Sequence, residues 1–437
     1  NGMVETPVTD HSSLVLAYRH TYRNLYDNMN RDMAPNRETT FDSEITIVPD
    51  YDFRDLNLKY TLRSEQGLNL RLSILGARDN FSYDVDEQIN RLFRLERNTS
   101  ETSLQRGASL VVGSNGNNGL TSRLILSYSS LEDGFNNQQK VVNSYTSNIR
   151  KSTSLQTRNT TTEARAELET GWAVNRHHRL EAALSWVGNR SSWSEDTSGV
   201  PFFDQRIRGS HITGMVQDRM TFGWFRLVPG IRLTRLPYLE KSYLEPRLSA
   251  SFEISEALSF SLAGGFYRQY LTKNSVEDEY GNYRYMWTVA NESDYPVLRS
   301  KHLAASLTLE TKNTQASLSP FYKKTHGLTR YANFRVRDIE NLFKGHSLSH
   351  GIDLYLKQNF LGHSAWVSYT LSKTEESFEH FPDDMYLYAP QDQRHELKAA
   401  AVLNFDPVYF SASYVYGSGF AIPNYSLSGV TYTRIPY

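Results

Sequence analysis

Apolar and polar residues alternate one by one over most of the chain. Leu56, Leu58, Tyr60 and Leu62 are separated by Asn57, Lys59 and Thr61. After Glu65-Gln66-Gly67 the pattern resumes, with Leu68, Leu70, Leu72 and Ile74 set between Asn69, Arg71 and Ser73. Side chains on a strand point alternately to opposite faces, so each segment has one apolar and one strongly polar face, and the Gly-containing link joins two of them as a hairpin. The motif recurs. Ala164 to Trp172 and Leu180 to Trp186 flank a link at 175–178, Leu248 to Ile254 and Leu258 to Leu262 flank 255–257, and Leu303 to Leu309 leads across Lys312-Asn313 to Ala316 and Leu318. Ile352 to Leu356 and Val367 to Leu371 flank Leu361-Gly362, and the last full pair meets at Asp406-Pro407. About eight such hairpins, a lone strand near 12–22 and the start of another near 431 predict roughly 18 strands, and no comparable stretch shows a helical period.

The connections are unequal. Short links fall at 65–67, 114–119, 175–178, 221–224, 255–257, 312–313, 361–362 and 406–407. Between them lie long polar stretches read as loops, at 79–101, 135–159, 193–205, 272–298, 327–346, 377–392 and 420–430, with a shorter link near 237–242. A soluble sandwich has no reason to gather its long loops at one end. A transmembrane barrel does, with short turns at one rim, long loops at the other and strands of about 9 to 11 residues crossing the lipid. In lipid every backbone N–H and C=O must be paired internally, which only helices and closed sheets achieve.

The polar faces support the same reading. Glu163, Arg165, Glu167 and Glu169 lie on one face of one strand. Such a face is wrong for a packed core and suits a lumen that holds water or a polar plug, and a barrel of about 18 strands or more is too wide for its own side chains to fill.

Composition narrows the alternatives. The chain has 437 residues, 47 Lys+Arg against 48 Asp+Glu, and no Cys. Balanced charge argues against nucleic-acid binding, and the lack of Cys excludes disulfides, thiolate metal sites and a thiol nucleophile. Hydrophobic residues make up only 39%, yet aromatics reach 13%, too many for a disordered chain. The longest apolar runs, Leu14 to Tyr18 and Ala399 to Leu403, are far short of the roughly 20 residues a membrane helix needs. Asn1 to Glu5 show no basic stretch leading into an apolar core, so no signal peptide is expected within these residues, and residues 1–437 are expected to be a single outer-membrane barrel domain, incomplete at both ends.

Several segments, in order and on the strands just inferred, resemble the barrel of TonB-dependent outer-membrane receptors, most closely the kind common in Bacteroidota. Val228-Pro229-Gly230-Ile231-Arg232 is similar to a "tPGlR" strand and Glu245-Pro246-Arg247-Leu248-Ser249 to an "EPRls" strand, followed by Gly264 to Tyr270 as "yG.y.Qy". Phe321-Tyr322-Lys323-Lys324 resembles "yYKk", Gly351 to Leu354 with Trp366 to Lys373 resembles "GiEl…wvsYtlSk", and Asp392 to His395 and Tyr416 to Gly419 resemble "D.RH" and "yGtG". The resemblance implies an all-β, large antiparallel transmembrane barrel of 22 strands around an N-terminal plug. This chain is expected to carry the barrel portion alone, without the plug and the energy-coupling segment.

Enzyme chemistry is not assembled by the sequence, and no catalytic, cofactor or metal residues are assigned. His177-His178 reads as a solvated turn and Gly113 to Gly119 as a flexible hairpin link, with no Lys-Ser/Thr following it. Glu375-Glu376 and Asp383-Asp384 read as solvated loop acids. Trp172 and Trp186 read as an aromatic girdle at the short-turn rim. Binding signals concentrate in two loops: Tyr280, Tyr283, Tyr285 and Trp287, beside Glu277, Asp278 and Glu279, and then Tyr386 and Tyr388, with Phe381. Flat aromatic faces and carboxylates suit sugars or aromatic ligands, and the same residues suit an interfacial girdle or loop packing.

The expected function is active, TonB-dependent uptake of a scarce nutrient (an iron chelate, a cobalamin-like cofactor or a glycan) through the bacterial outer membrane. The expected partners are outer-membrane lipid, a small-molecule or oligosaccharide ligand, a TonB-type periplasmic transducer acting through the plug, and a capping surface lipoprotein. A passive porin or surface-binding barrel is the second reading and a soluble array of β-sandwiches the third.

Overall fold

A computed structural model describes residues 1–21, 45–65, 67–116, 119–277, 283–331, 342–381, 385–426, 429–434 and 436. Among these are 23 strands and a single 3-10 turn, Pro237–Leu239. In chain order the first nine strands are β1 (Gly2–Thr9), β2 (Ser12–His20), β3 (Ile45–Arg63), β4 (Leu68–Asn90), β5 (Phe93–Asn115), β6 (Leu120–Asn143), β7 (Ile149–Ala173), β8 (His178–Thr197) and β9 (Val200–Phe222). They are followed by β10 (Phe225–Leu236), β11 (Lys241–Glu253), β12 (Leu258–Gln269), β13 (Leu271–Glu277), β14 (Tyr283–Val289), β15 (Leu298–Glu310) and β16 (Thr314–Tyr331). The last seven are β17 (Leu342–Phe360), β18 (His363–Phe378), β19 (Leu387–Tyr388), β20 (His395–Phe405), β21 (Val408–Gly417), β22 (Ile422–Ser426) and β23 (Gly429–Thr433). Twenty-one belong to one hydrogen-bonded sheet, while β22 and β23 pair only with each other.

All eight short links appear where the alternation breaks. Leu361 and Gly362, both at positive φ, form the two-residue turn between Phe360 and His363, the conformation that matches strand twist. At Gly67 (φ 84) a Cβ would meet the Asn115 carbonyl oxygen at 2.9 Å, so only Gly fits where the neighbouring turn approaches.

The opposite ends differ from expectation. Residues 79–101, 135–159 and 193–205, read from sequence as loops, are strands that continue past the apolar stripe and turn tightly, at Arg91–Leu92 and Ser198–Gly199 for example. Their polar Thr, Asn, Arg and Tyr residues hide the strand because both faces of the ribbon are wet. The ladder itself supplies the order, as with Tyr83 opposite Thr99 and Asn98 donating to Asp84 at 2.7 Å. Strand β1, opposite β2, was also missed, because Gly2 and Pro7 break its pattern.

Contact clustering divides the chain into two compact units: 1–170, 184–212 and 286–289 in the first, 171–183, 213–285 and 290–437 in the second. In the first, register aligns apolar rows from strand to strand. Leu14 faces Tyr60, then Leu72, Leu110 and Leu126 in succession across β2 to β6. In the second, the row runs Phe225, Phe252, Phe260, Leu307, Leu318 and Leu354, and continues through Tyr369 and Leu397 to Tyr416 on β21.

The face these rows lie on is the more exposed one: Leu126 is 41%, Leu307 40% and Leu354 42% accessible, as is Leu168 of β7 at 47%. The other face holds the buried side chains, more of them polar or charged than apolar, including Glu167, Asn189, Glu195, His211 and Glu245. That is the inverse of a water-soluble protein, in which the apolar face is the one removed from water. It contradicts a soluble sandwich, which would bury Leu168 and Leu307 between sheets.

Candidate functional site

The polar face carries the candidate site. On β7 its charges neutralise one another and their neighbours. Arg165 Nε donates to Glu167 at 2.9 Å, Asn189 of β8 to Glu163 at 3.0 Å, and Arg123 of β6 to Glu169 at 2.7 Å. Charges facing a wet interior at this density persist because each carboxylate has a donor.

Farther along the same face of the first unit, towards the long connections, β7 and β8 grip an incoming segment. Asn159 accepts from the Trp287 N–H at 2.7 Å and donates to the carbonyls of Trp287 (3.0 Å) and Ser192 (3.1 Å). Ser191 Oγ accepts from the Val289 N–H at 3.0 Å. Beside them Trp193, 1% exposed, stacks obliquely on Phe203 at 4.7 Å and donates to Glu195, which also accepts from Thr157. Residues 286–289, the end of β14, are thus also held by side chains of the wall, which satisfy backbone groups at Trp287 and Val289.

In the second unit the adjoining part of that loop builds a small packed core. Leu236, Tyr270, Ala290 and Val297 are buried, with Tyr238, Leu239 and Tyr243 against them. Tyr238 donates to the Ala290 carbonyl at 2.8 Å. Glu292 accepts from Lys241 (2.8 Å), Tyr243 (3.1 Å) and the Val297 N–H (3.1 Å). Burial pushes the Glu292 carboxyl up, but these donors outweigh it and its pKa falls below the ordinary range. Burial, then the Glu292 charge, pushes the Tyr243 hydroxyl up to about 12, and burial does the same to Tyr238.

A third cluster joins β13, β16 and β18. Strand β13 runs parallel to β16, with Ser275 opposite Arg330. Arg330 reaches Glu376 at 2.6 Å and Ser275 Oγ at 3.3 Å, and its guanidinium lies 4.2 Å over the Phe378 ring. Burial raises the Glu376 carboxyl against the pull of Arg330, and burial followed by that same Arg330 charge holds His380 down to about 4.

The aromatic residues singled out from sequence do not form one patch. Trp287 is in the first unit, anchored through its backbone. Tyr285, in the second, is 39% exposed with Lys273 5.3 Å over its ring, and partial burial of its hydroxyl, then the Glu376 charge, pushes its pKa up. Tyr386, 38% exposed, bonds His346 Nε2 at 2.6 Å. Tyr388 sits beneath Lys373 and Arg434 and against Tyr432. Tyr280, Asp278, Glu279, Asp383 and Asp384 lie outside the described residues, as do the side chains of Tyr283 and Glu277.

Two other expectations change. Glu375 and Glu376 are not a solvated pair: neighbours on a strand, they point to opposite faces, Glu375 to Lys373 at 2.8 Å and Glu376 into burial. Trp172 does sit beside the short link, but Trp186 ends the far side of the β8 stripe begun by Leu180, Ala182 and Leu184, so the two are not one girdle. His177 and His178 are turn residues held by the Thr221 carbonyl (2.9 Å) and Asp218 (2.7 Å). Among the described residues no three His, Asp or Glu side chains are grouped to hold a metal ion. Asn159, Ser191 and Arg330 carried no sequence signal, because each matters through a partner distant along the chain.

No family model matches the sequence, and no curated protein does. Solved structures do. The chain is similar to FpvAI in its complex with pyocin S2 (TM-score 0.54, 9% identity, covering 87% of this chain and 63% of that one). It is similar to the siderophore receptor PirA from Acinetobacter baumannii (TM-score 0.51, 10% identity, 91% and 70%) and to the outer membrane transporter YddB from Escherichia coli (TM-score 0.50, 9% identity, 95% and 64%). The chain therefore spans less than two thirds of the first and third of these. At such identities the likeness is one of fold, and the fold is a large antiparallel outer-membrane β-barrel.

Proposed function

We propose that residues 1–437 are one domain, the barrel wall of an outer-membrane transporter that takes a scarce nutrient into the periplasm of a bacterium, with the apolar face in lipid and the polar face around the passage. The observation that carries this reading is the inverted burial. Exposed leucine rows beside buried, mutually paired charges have a physical rationale only between hydrocarbon and a wet interior. The neighbours' functions agree with it: one is a siderophore receptor and another an outer membrane transporter.

The loop at 271–297 supports selective rather than passive passage. Within the second unit, Ser275 and Arg330 tie β13 to β16, and Lys273 lies over the Tyr285 ring, a pair suited to an anionic or aromatic chelate or to sugar rings. Coupling to a TonB-type transducer through a plug, and the barrel's place within the TonB-dependent family of Bacteroidota, belong to this proposal, and a surface lipoprotein would cap the same end. No bond is made or broken by the wall in this reading.

The test is uptake by cells carrying the complete gene, with iron-loaded chelates, a cobalamin and oligosaccharides as probes. Accumulation of one probe that stops when the inner-membrane proton gradient or the energy transducer is removed supports active transport. Accumulation that continues unchanged shows a passive pore.

A further inference from the structure

The apolar face of the second unit changes character abruptly near its long-connection end. On β15 the positions sharing that face run Leu307, Ala305, Leu303 and then Lys301 and Arg299. On β16 they run Leu318, Pro320, Tyr322 and then Lys324 and His326. The Phe266 ring fixes the face: it is exposed alongside the leucines and lies 5.5 Å beneath the Lys301 ammonium.

Register sets these cations side by side. Lys301 is directly opposite Lys324, Arg299 opposite His326, and His326 opposite His346 of β17, their rings 5.4 Å apart. No Asp or Glu shares that face on β15, β16 or β17. On β18 Glu375, opposite Leu348, is already held by Lys373. Like charges directly opposite one another on a sheet are destabilising, so an uncompensated pair such as Lys301 and Lys324 is costly unless an anion lies against it. The short-turn edge of the same face carries instead the exposed rings of Phe360, Phe405 and Phe410.

We propose that Arg299, Lys301 and Lys324 form a binding site for the phosphorylated headgroup of an anionic lipid in the outer leaflet. The chemistry calls for an amphiphile rather than a free anion. The cations begin one strand step, about 7 Å, beyond Leu303, so acyl chains lying along Leu303, Leu307 and Leu318 place their headgroup phosphates at the ammonium and guanidinium groups. Tyr322, between the two zones, occupies the level where aromatic rings mark a membrane interface. The inference rests on the membrane reading proposed above.

The experiment uses the full chain in nanodiscs, with insertion confirmed by heat-modifiable migration, and native mass spectrometry to count retained lipid. The probes are a lipid A-type glycolipid with its phosphates, the same glycolipid without them, and inorganic phosphate. Retention of the phosphorylated form alone is expected. It should weaken on the order of a hundredfold in the triple variant Arg299→Gln, Lys301→Gln, Lys324→Gln, and by a smaller factor in Lys301→Gln, which keeps the folded wall if the triple variant does not. Equal retention of both glycolipids, or unchanged retention in folded variants, overturns the site while leaving the membrane reading intact. Full displacement by inorganic phosphate at comparable concentration overturns the lipid assignment. A chain that does not insert overturns both.

Discussion

Across β10 to β21 the row from Phe225 to Tyr416 leaves Leu307, Leu318 and Leu354 exposed, whereas residues 290–297 and the β10–β11 connection bury Leu236, Tyr270, Ala290 and Val297 as a soluble protein would. The row is held by cross-strand pairing and needs hydrocarbon to cover it. The loop core is held by side-chain burial and by hydrogen bonds such as Tyr238 to Ala290. The wall therefore depends on its solvent and the loop on its partners, and substitutions separate the two dependences.

The largest effect is expected at the buried ion pair of the loop region. Glu376→Ala leaves Arg330 charged and buried at one end of β16, and should destabilise the local structure by about 3 to 5 kcal/mol, seen as loss of amide-exchange protection at 274–276 and 329–331. The wall should respond to side rather than to charge alone. Leu307→Arg is expected to cost about 2 to 4 kcal/mol of stability in bilayers, and Thr308→Arg, its neighbour on the polar face, within about 1 kcal/mol, both read by urea titration in lipid. Equal costs would break the comparison.

Smaller effects sharpen it. Asn159→Ala removes the side chain that satisfies the Trp287 backbone, and is expected to cost about 1 to 3 kcal/mol locally, raising exchange at 286–289 while leaving β3 to β6 unchanged. Acidification should act on the loop region. Both Glu292 and His380 have folded-state pKa values below their ordinary ones, so each contributes stability that is present above its ordinary value and lost as pH falls through the lowered one. Protection near His380 should decline from about pH 6.5 towards 4, and protection at 290–297 below the ordinary carboxylate range.

This contrast also explains what was legible in the sequence. The alternation of Leu56 to Leu62 or Leu303 to Leu309 is a local signal, because a strand with one face in hydrocarbon writes its period into consecutive residues. All eight short links followed from it. The outer ends of β4 to β9 did not, since a ribbon wet on both faces imposes no period, and they were read as loops. The site was less legible still. Tyr285 and Trp287 stood out as aromatics, but the groups that position their segment, Asn159, Ser191, Arg330 and Glu376, act across gaps of 46 to 128 residues and are ordinary in their own neighbourhoods.

The absence of native Cys makes the central claim directly measurable, because single Cys substitutions can be labelled without background. Spin labels at Leu70, Leu168 and Leu307, and at Thr308 and Glu167 on the other face, would be tested in bilayers for collisions with oxygen and with a water-soluble nickel complex. Oxygen-rich, nickel-poor environments at the three leucines, reversed at Thr308 and Glu167, are the predicted result. Nickel access at the leucines, or leucines shielded from both reagents, would contradict a wall whose apolar face lies in lipid.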